Sequence, residues 1–415
     1  MRKQCFTLLI VFLFCSSTVA CATHHQGTEG THTPPVIEEQ QSSGPIKPSS
    51  PPSATTRYAS EELPPMEEAI PEPLSDKEHT EQEREPKRVK KETKVKGIYV
   101  TAPNVANQAT FHQLLQLVKE TELNGMVIDI KDDLGRLTYS SQTPLLTEIQ
   151  EKQKTVIPDL KETLQTLQEE EIYSIARIVV FKDPLLAQNK PEWAIQQKNG
   201  KPWKDPKGLL WVDPYRQEVW DYTIQVAKEV AQLGFDEIQF DYVRFPDHPK
   251  RLNREAIFPT AQERSKAEAI AQFLAHAKKE LEPFPVVLSA DVFGLTTTAR
   301  DDMGIGQEWN KMIAHLDVIS PMMYPSHYGK GSYGIRSPDH NPHQTIEEGL
   351  KDALEKNKEA ASSLHQVARI RPWYQDFSFR KKYSREDVLA QIEAGRELGV
   401  EEYLLWNQGN RYSFR

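Results

Sequence analysis

Short apolar stretches alternate with helix-length amphipathic ones from residue 97 to residue 407. The strand candidates are Gly97–Thr101, Gly125–Ile130, Ile172–Val180, the segment 235–246 carrying Asp241, Val286–Gly294, Leu316–Tyr324, Val367–Arg371 and Glu402–Trp406. Between them, Phe111, Leu114, Leu115 and Val118 repeat at the spacing of one buried helix face, and further helices are predicted near 158–170 and 217–233. Thr345 with Glu348 and Ser384 with Asp387 read as capping arrangements ahead of two later helices. Strands that alternate with helices imply a parallel sheet, and eight units over some 310 residues predict an α/β fold closed into a (β/α)8 TIM barrel. An open doubly wound sheet is the competing architecture. Gly97 and Gly125 form no dinucleotide or phosphate-loop pattern.

The first quarter of the chain follows different rules. Arg2 and Lys3 precede an apolar run from Phe6 to Phe14, too short to span a bilayer but suited to a secretory signal. Thr18–Cys21 resembles a lipobox, while Ala20–Ala22 fits an ordinary cleavage site. Residues 1–21 are therefore expected to be a signal of lipoprotein type, with Cys21 lipidated and the chain exported, held at the outer face of a membrane or else secreted. All three cysteines, Cys5, Cys15 and Cys21, fall in this segment, so the exported part has no thiol for a disulfide, a nucleophile or a metal. Residues 22–95, rich in Pro, Ser, Thr, Glu and Gln, bury too little apolar surface to offset ordering entropy and are predicted to be a disordered linker. The folded domain is expected over 96–415. A net charge of −9 gives no reason to expect nucleic acid as a partner, and nothing in the sequence speaks to oligomeric state.

Side chains alternate along a strand, so Glu237, Gln239 and Asp241 share one face of the fourth strand while Ile238 and Phe240 share the other. A buried polar row is costly unless paired, which points to a site or to an internal ion pair with Arg244 or Arg177. Ser289 and Asp291 share a face of the fifth strand. At the C-terminal ends of barrel strands, Asp241 and Asp291 would overhang one mouth, as two carboxylates must for glycosidic cleavage by acid/base chemistry. Asp291 as the cap of the following loop is the structural alternative. Asp129 and Lys131 share a face by the same parity and read as a sugar-hydroxyl contact pair or an ion pair; Arg177 faces the same choice. Trp193, Trp203 and Trp211 in the long third loop, with Trp373 and Trp406 at strand ends, are candidates for stacking on sugar rings or for packing. Tyr324, Gln375, Asn407, Gln239 and Arg244 complete the candidate substrate contacts. No strand carries a His-x-His pair and no His-Glu-x-x-His or Gly-x-Ser-x-Gly occurs, so neither a metal, a cofactor nor a serine nucleophile is expected.

Five stretches carry a resemblance: Gly97–Val100, Val127–Asp133, Ile175–Pro184, Trp211–Tyr215 and 234–246. They resemble the bacterial putative glycosyl hydrolase domain family over about residues 95–410. That family is similar to the alpha-amylase-type barrels, and the resemblance implies Asp241 as nucleophile, Asp291 as acid/base and Asp376 as a third acid near the seventh strand. The fifth-strand acid is Asp here, one methylene shorter than the Glu usual in those barrels. The expectation is a glycoside hydrolase acting on a cell-envelope or extracellular polysaccharide. A carbohydrate-binding lipoprotein without turnover is the alternative, and a metal-dependent barrel hydrolase a third.

Overall fold

The computed structural model describes residues 93–413. The expected signal, the Cys21 lipidation site and residues 22–92 of the expected linker lie outside the described residues, while Val95, placed at the end of that linker, is buried in the folded domain with its amide on Glu402. Eight strands make the closed ring of the sheet: β1 (Lys96–Val100), β2 (Gly125–Lys131), β3 (Tyr173–Val179), β4 (Glu237–Asp241), β5 (Val287–Phe293), β6 (Val318–Met323), β7 (Trp373–Gln375) and β8 (Tyr403–Trp406). Each pairs in parallel with the next, and β8 pairs with β1, so the sheet closes into a (β/α)8 TIM barrel. Closure excludes the open doubly wound sheet.

The outer layer is carried by α1 (Gln108–Lys119), α2 (Leu160–Glu169), α3 (Gln217–Leu233), α4 (Lys266–Leu281), α5 (Trp309–Ile313), α6 (Pro342–Ala360) and α7 (Arg385–Glu397). In α1 the buried residues are Leu114, Leu115, Leu117 and Val118, with Phe111 of the predicted face only partly buried. α7 starts with a full capping box between Ser384 and Asp387. The arrangement expected at Thr345 does not form: α6 starts earlier, after Asn341, because Pro342 suits a first helical turn. The Thr345 hydroxyl instead donates back to the carbonyls of Asn341 and Pro338.

Two strands depart from the expected pattern. The predicted seventh strand, Val367–Arg371, pairs with β6 only at Arg369–Ile370; after Pro372 the chain resumes as β7 and closes the barrel there. Proline has no N–H for a ladder, and at this break its carbonyl accepts from Leu404 N at 2.9 Å. In β2 the register shifts between Asp129 and Lys131, a bulge that reverses the parity of the last residue. Lys131 thereby leaves the face of Asp129 and turns to Asp183 (2.7 Å) and the ring of Tyr222 in α3.

The two faces of β4 meet different surroundings. Phe240 packs on Phe273 of α4 with ring centroids 5.2 Å apart, so the apolar face meets the helices. Glu237 reaches Arg371, entering β7, so the polar face lines the barrel interior. Most of the core lies between barrel and helices, with a small second cluster that includes Tyr99, Val127, Ile175 and Trp373. No helix among the described residues is long and apolar enough to cross a membrane.

Candidate active site at the barrel mouth

Asp241 ends β4 and Asp291 stands near the end of β5, with Phe240 and Ala290 in register one residue before them. Parity and register place both carboxyl groups in the same upper layer of the barrel. Each is almost enclosed, at 6% and 2% exposure. Asp241 accepts from Arg177 through Nε at 3.0 Å and Nη2 at 2.5 Å, and from its neighbour's amide, Tyr242 N, at 2.6 Å. The third Arg177 nitrogen, Nη1, donates to Asp129 at 2.6 Å, and Asp129 also accepts from the Tyr99 hydroxyl at 2.5 Å. One guanidinium thus ties β2 to β4 across β3.

Among the described residues no cation pairs directly with Asp291. Its Oδ1 accepts from the Trp373 indole at 2.7 Å. Burial, then the charge of Asp241, push its pKa well above the usual carboxylate range, against the opposing pull of the Trp373 hydrogen bond and of Arg177 and Arg371. Burial also raises Asp129, with Arg177 and the Tyr99 hydrogen bond opposing. Arg177 is pushed up by Asp241 and Asp129 in spite of its burial. Tyr324, beyond the end of β6, is held far above an ordinary phenol by burial and by Asp291 and Asp241, so its hydroxyl is a hydrogen-bond donor at any working pH.

Aromatic side chains frame these acids. Trp406 stacks on Tyr99 (4.1 Å, 19°) and meets Trp373 edge-on at 5.4 Å, while Arg177 lies 5.6 Å from its ring centre. Arg244 sits among Phe293, Tyr242 and Trp211 at 4.5, 4.9 and 5.3 Å and pairs with Asp247 at 2.9 Å. Tyr242, the residue after Asp241, has φ of 49°, left-handed backbone that a non-glycine residue adopts at a cost and that often marks a functional turn.

The expected contacts divide. Asp129, Arg177, Asp241, Asp291, Tyr324, Trp373 and Trp406 gather around one another at the mouth. Lys131 is sealed behind the β2 bulge, donating to Val179 O and paired with Asp183. Gln375 accepts from Ser326 N and donates to Phe377 O, and the Asn407 amide donates to the carbonyls of Asp376 and Arg411, so both brace loops. The Trp211 indole donates to Asp205 at 3.1 Å, leaving its ring to Arg244 and Tyr242. Gln239 lies fully buried one layer below the acids, and its amide has no hydrogen-bond partner among the described residues.

Tyr99 and Tyr412 were not foreseen. Tyr99 holds Asp129, and the Tyr412 hydroxyl donates to Tyr99 O from the segment after β8. The alternation in β1, which places Gly97 and Tyr99 on one face, was the available signal for Tyr99; Tyr412 had none. Asp376 accepts two bonds from Ser413 N, at 2.9 and 3.1 Å, and burial pushes its pKa up to about 6. Among the described residues no group of three or more His, Cys, Asp or Glu is placed to hold a metal ion.

A family model described as "Putative glycosyl hydrolase domain" matches residues 97–412. Among solved structures, a hypothetical protein from Ruminiclostridium thermocellum ATCC 27405 is 38% identical, with 50% of this chain and 98% of that one covered and a TM-score of 0.43. The PgaB (BpsB) glycoside hydrolase domain from Bordetella bronchiseptica aligns at 13% identity and TM-score 0.53, over 76% of this chain and 94% of that one. The endo-beta-1,4-mannanase from Thermotoga petrophila aligns at 11% identity and TM-score 0.51, over 77% and 69%. At such identities the last two speak to the fold alone. No curated protein matches the chain.

Proposed function

The chain belongs to the putative glycosyl hydrolase domain family, and from that premise we propose a glycoside hydrolase that cleaves its glycan at the barrel mouth between Asp241 and Asp291. The observation that carries the reading is the unequal treatment of two neighbouring carboxyl groups. Asp241 is paired with a guanidinium, whereas Asp291 accepts from a neutral indole and has a raised pKa. Environments that separate two acids in this way assign their roles. Asp291, kept protonated, gives its proton to the departing glycosidic oxygen. Asp241, as the carboxylate, faces the anomeric carbon or the water that attacks it. In this reading Tyr324 donates to a sugar hydroxyl and Trp406 borders the sugar ring. For Asp241 to act, Arg177 has to remain on Asp129 while substrate takes over part of its contact with Asp241.

We assign the substrate to the polysaccharides outside the cell. The signal-like segment and Cys21 support export and a lipid anchor, and the linker-like composition of 22–95 supports a domain held some tens of ångströms from a membrane on a flexible tether. The Arg177 clamp on both Asp129 and Asp241 favours a second reading, a binder that holds glycan without cutting it. Asp241→Asn separates the two in a panel of polysaccharides followed by reducing-end release. The enzyme reading expects a loss of about 10³-fold in rate with binding retained. Absence of cleavage by the native chain across the panel, with glycan still bound, establishes the binder.

A further inference from the structure

The connection from β3 to α3 builds a cleft of about 370 Å³ that has no barrel strand among its lining residues. Turns at Gly200 (φ 78°) and Gly208 (φ 80°) fold this connection back on itself. Pairing of Gln196–Gln197 with Ala256–Ile257 then pins it beside the short helix Pro249–Glu255. Trp203 and Leu210 supply an apolar wall, and Lys201, Lys204, Arg251 and Glu255 supply the charges.

The charges do not balance. Glu255 already accepts from Arg251 Nε and Arg254 Nη2, both at 2.8 Å, and from the Trp203 indole at 3.2 Å. The Arg251 guanidinium also lies over the Trp203 ring at 5.4 Å. Nearby Asp205 spends its carboxylate on the amides of Lys207 and Leu209 and on the Trp211 indole. Lys201 and Lys204 are exposed, and neither ammonium has an ion-pair partner among the described residues. A cationic cleft on a chain of net charge −9 concentrates anions locally against the average field. The cleft also adjoins the mouth: Leu210 lines it, and the next residue, Trp211, meets Tyr242 edge-on at 5.9 Å, beside Asp241.

We propose that this cleft binds an anionic glycan, its apolar wall against the sugar ring and Lys201, Lys204 and Arg251 around a carboxylate or phosphodiester substituent. Binding here does not depend on bond cleavage. The full chain is passed over immobilised polygalacturonate, poly(glycerol phosphate) and neutral dextran. Retention by an anionic polymer, released as salt is raised and absent on dextran, is expected. Polygalacturonate alone identifies a carboxylate ligand, and poly(glycerol phosphate) alone a phosphodiester. The double variant Lys201→Glu, Lys204→Glu should bind at least about tenfold more weakly with an unchanged melting temperature. Asp241→Asn should bind as the native chain does, because Asp241 is not among the residues that line the cleft. Undiminished binding by the lysine variant, equal retention on dextran, no retention of the native chain, or loss of binding in Asp241→Asn overturns the proposal.

Discussion

Two polar layers are stacked inside one barrel, and they treat the same chemical group in opposite ways. In the deep layer Glu237 meets Arg371, with Ser289 and Tyr173 donating as well, and both charged side chains are fully enclosed. Arg371 has one further carboxylate within reach, Glu402 at 3.9 Å. Two steps of alternation up β4, past Gln239, stand Asp129, Asp241 and Asp291, where Arg177 pairs with Asp129 and Asp241 and no cation among the described residues pairs directly with Asp291. A matched pair has its charge answered and is part of the scaffold. A surplus of acids over cations leaves one group without an answer, and its pKa moves. The number of partners therefore separates scaffold from candidate site here more clearly than burial does, since all of these groups are buried.

Breaking the deep pair should have the largest effect on stability. Arg371→Met strands Glu237 in a closed interior and is expected to cost about 3–5 kcal/mol in denaturant unfolding. A variant as stable as the native chain contradicts the scaffold assignment. Asp241→Asn should do the reverse, removing turnover with little loss of stability, because Arg177 keeps Asp129.

The next effect is on pH dependence. Asp291 is a carboxyl whose folded pKa is raised, so the folded state binds its proton more tightly than the unfolded state. Between the ordinary aspartate value and the raised one, stability therefore falls as pH rises, and it is unaffected below both. A protonated general acid is lost over the upper end of the same window, which sets the alkaline limb of cleavage. Asp291→Asn should flatten the stability slope in that window; an unchanged slope places the titration elsewhere. A smaller shift is expected from Trp373→Phe. Loss of the indole donor to the ionised form moves the Asp291 pKa further up and the alkaline limb with it, and a shift to lower pH contradicts the hydrogen bond's role. The smallest effect belongs to Asp376, at about 6. Asp376→Asn should remove a stability decrease between the ordinary aspartate value and pH 6, read from unfolding curves across that range, and leave the alkaline limb in place.

Much of this contrast is legible in the amino-acid sequence. Alternation in β4 separated Glu237, Gln239 and Asp241 from Ile238 and Phe240, and strand–helix alternation gave the barrel that turns strand ends into one mouth. The internal ion pair expected of Glu237 forms, but with Arg371 instead of Arg244 or Arg177, because Arg371 lies 134 residues away and only closure brings β4 and β7 across from each other. Lys131 shows a different limit: parity holds for an unbroken strand, and the bulge after Asp129 carries no composition signal of its own. Gln375 and Asn407 fill backbone hydrogen bonds of loops whose conformation depends on tertiary contacts rather than on local propensity. The tryptophans were seen as an aromatic set, but their division into an Asp291 donor, a Tyr99 stack and a cover for Arg244 depends on distances that sequence does not hold.

The central claim is that the charge of Asp241 acts on Asp291. Carboxyl ¹³C titration of Asp291 in the native chain and in Asp241→Asn measures this directly. The account expects a pKa above the ordinary aspartate range in the native chain and a distinct fall when the neighbouring charge is removed. An ordinary value in the native chain, or one indifferent to Asp241, contradicts it.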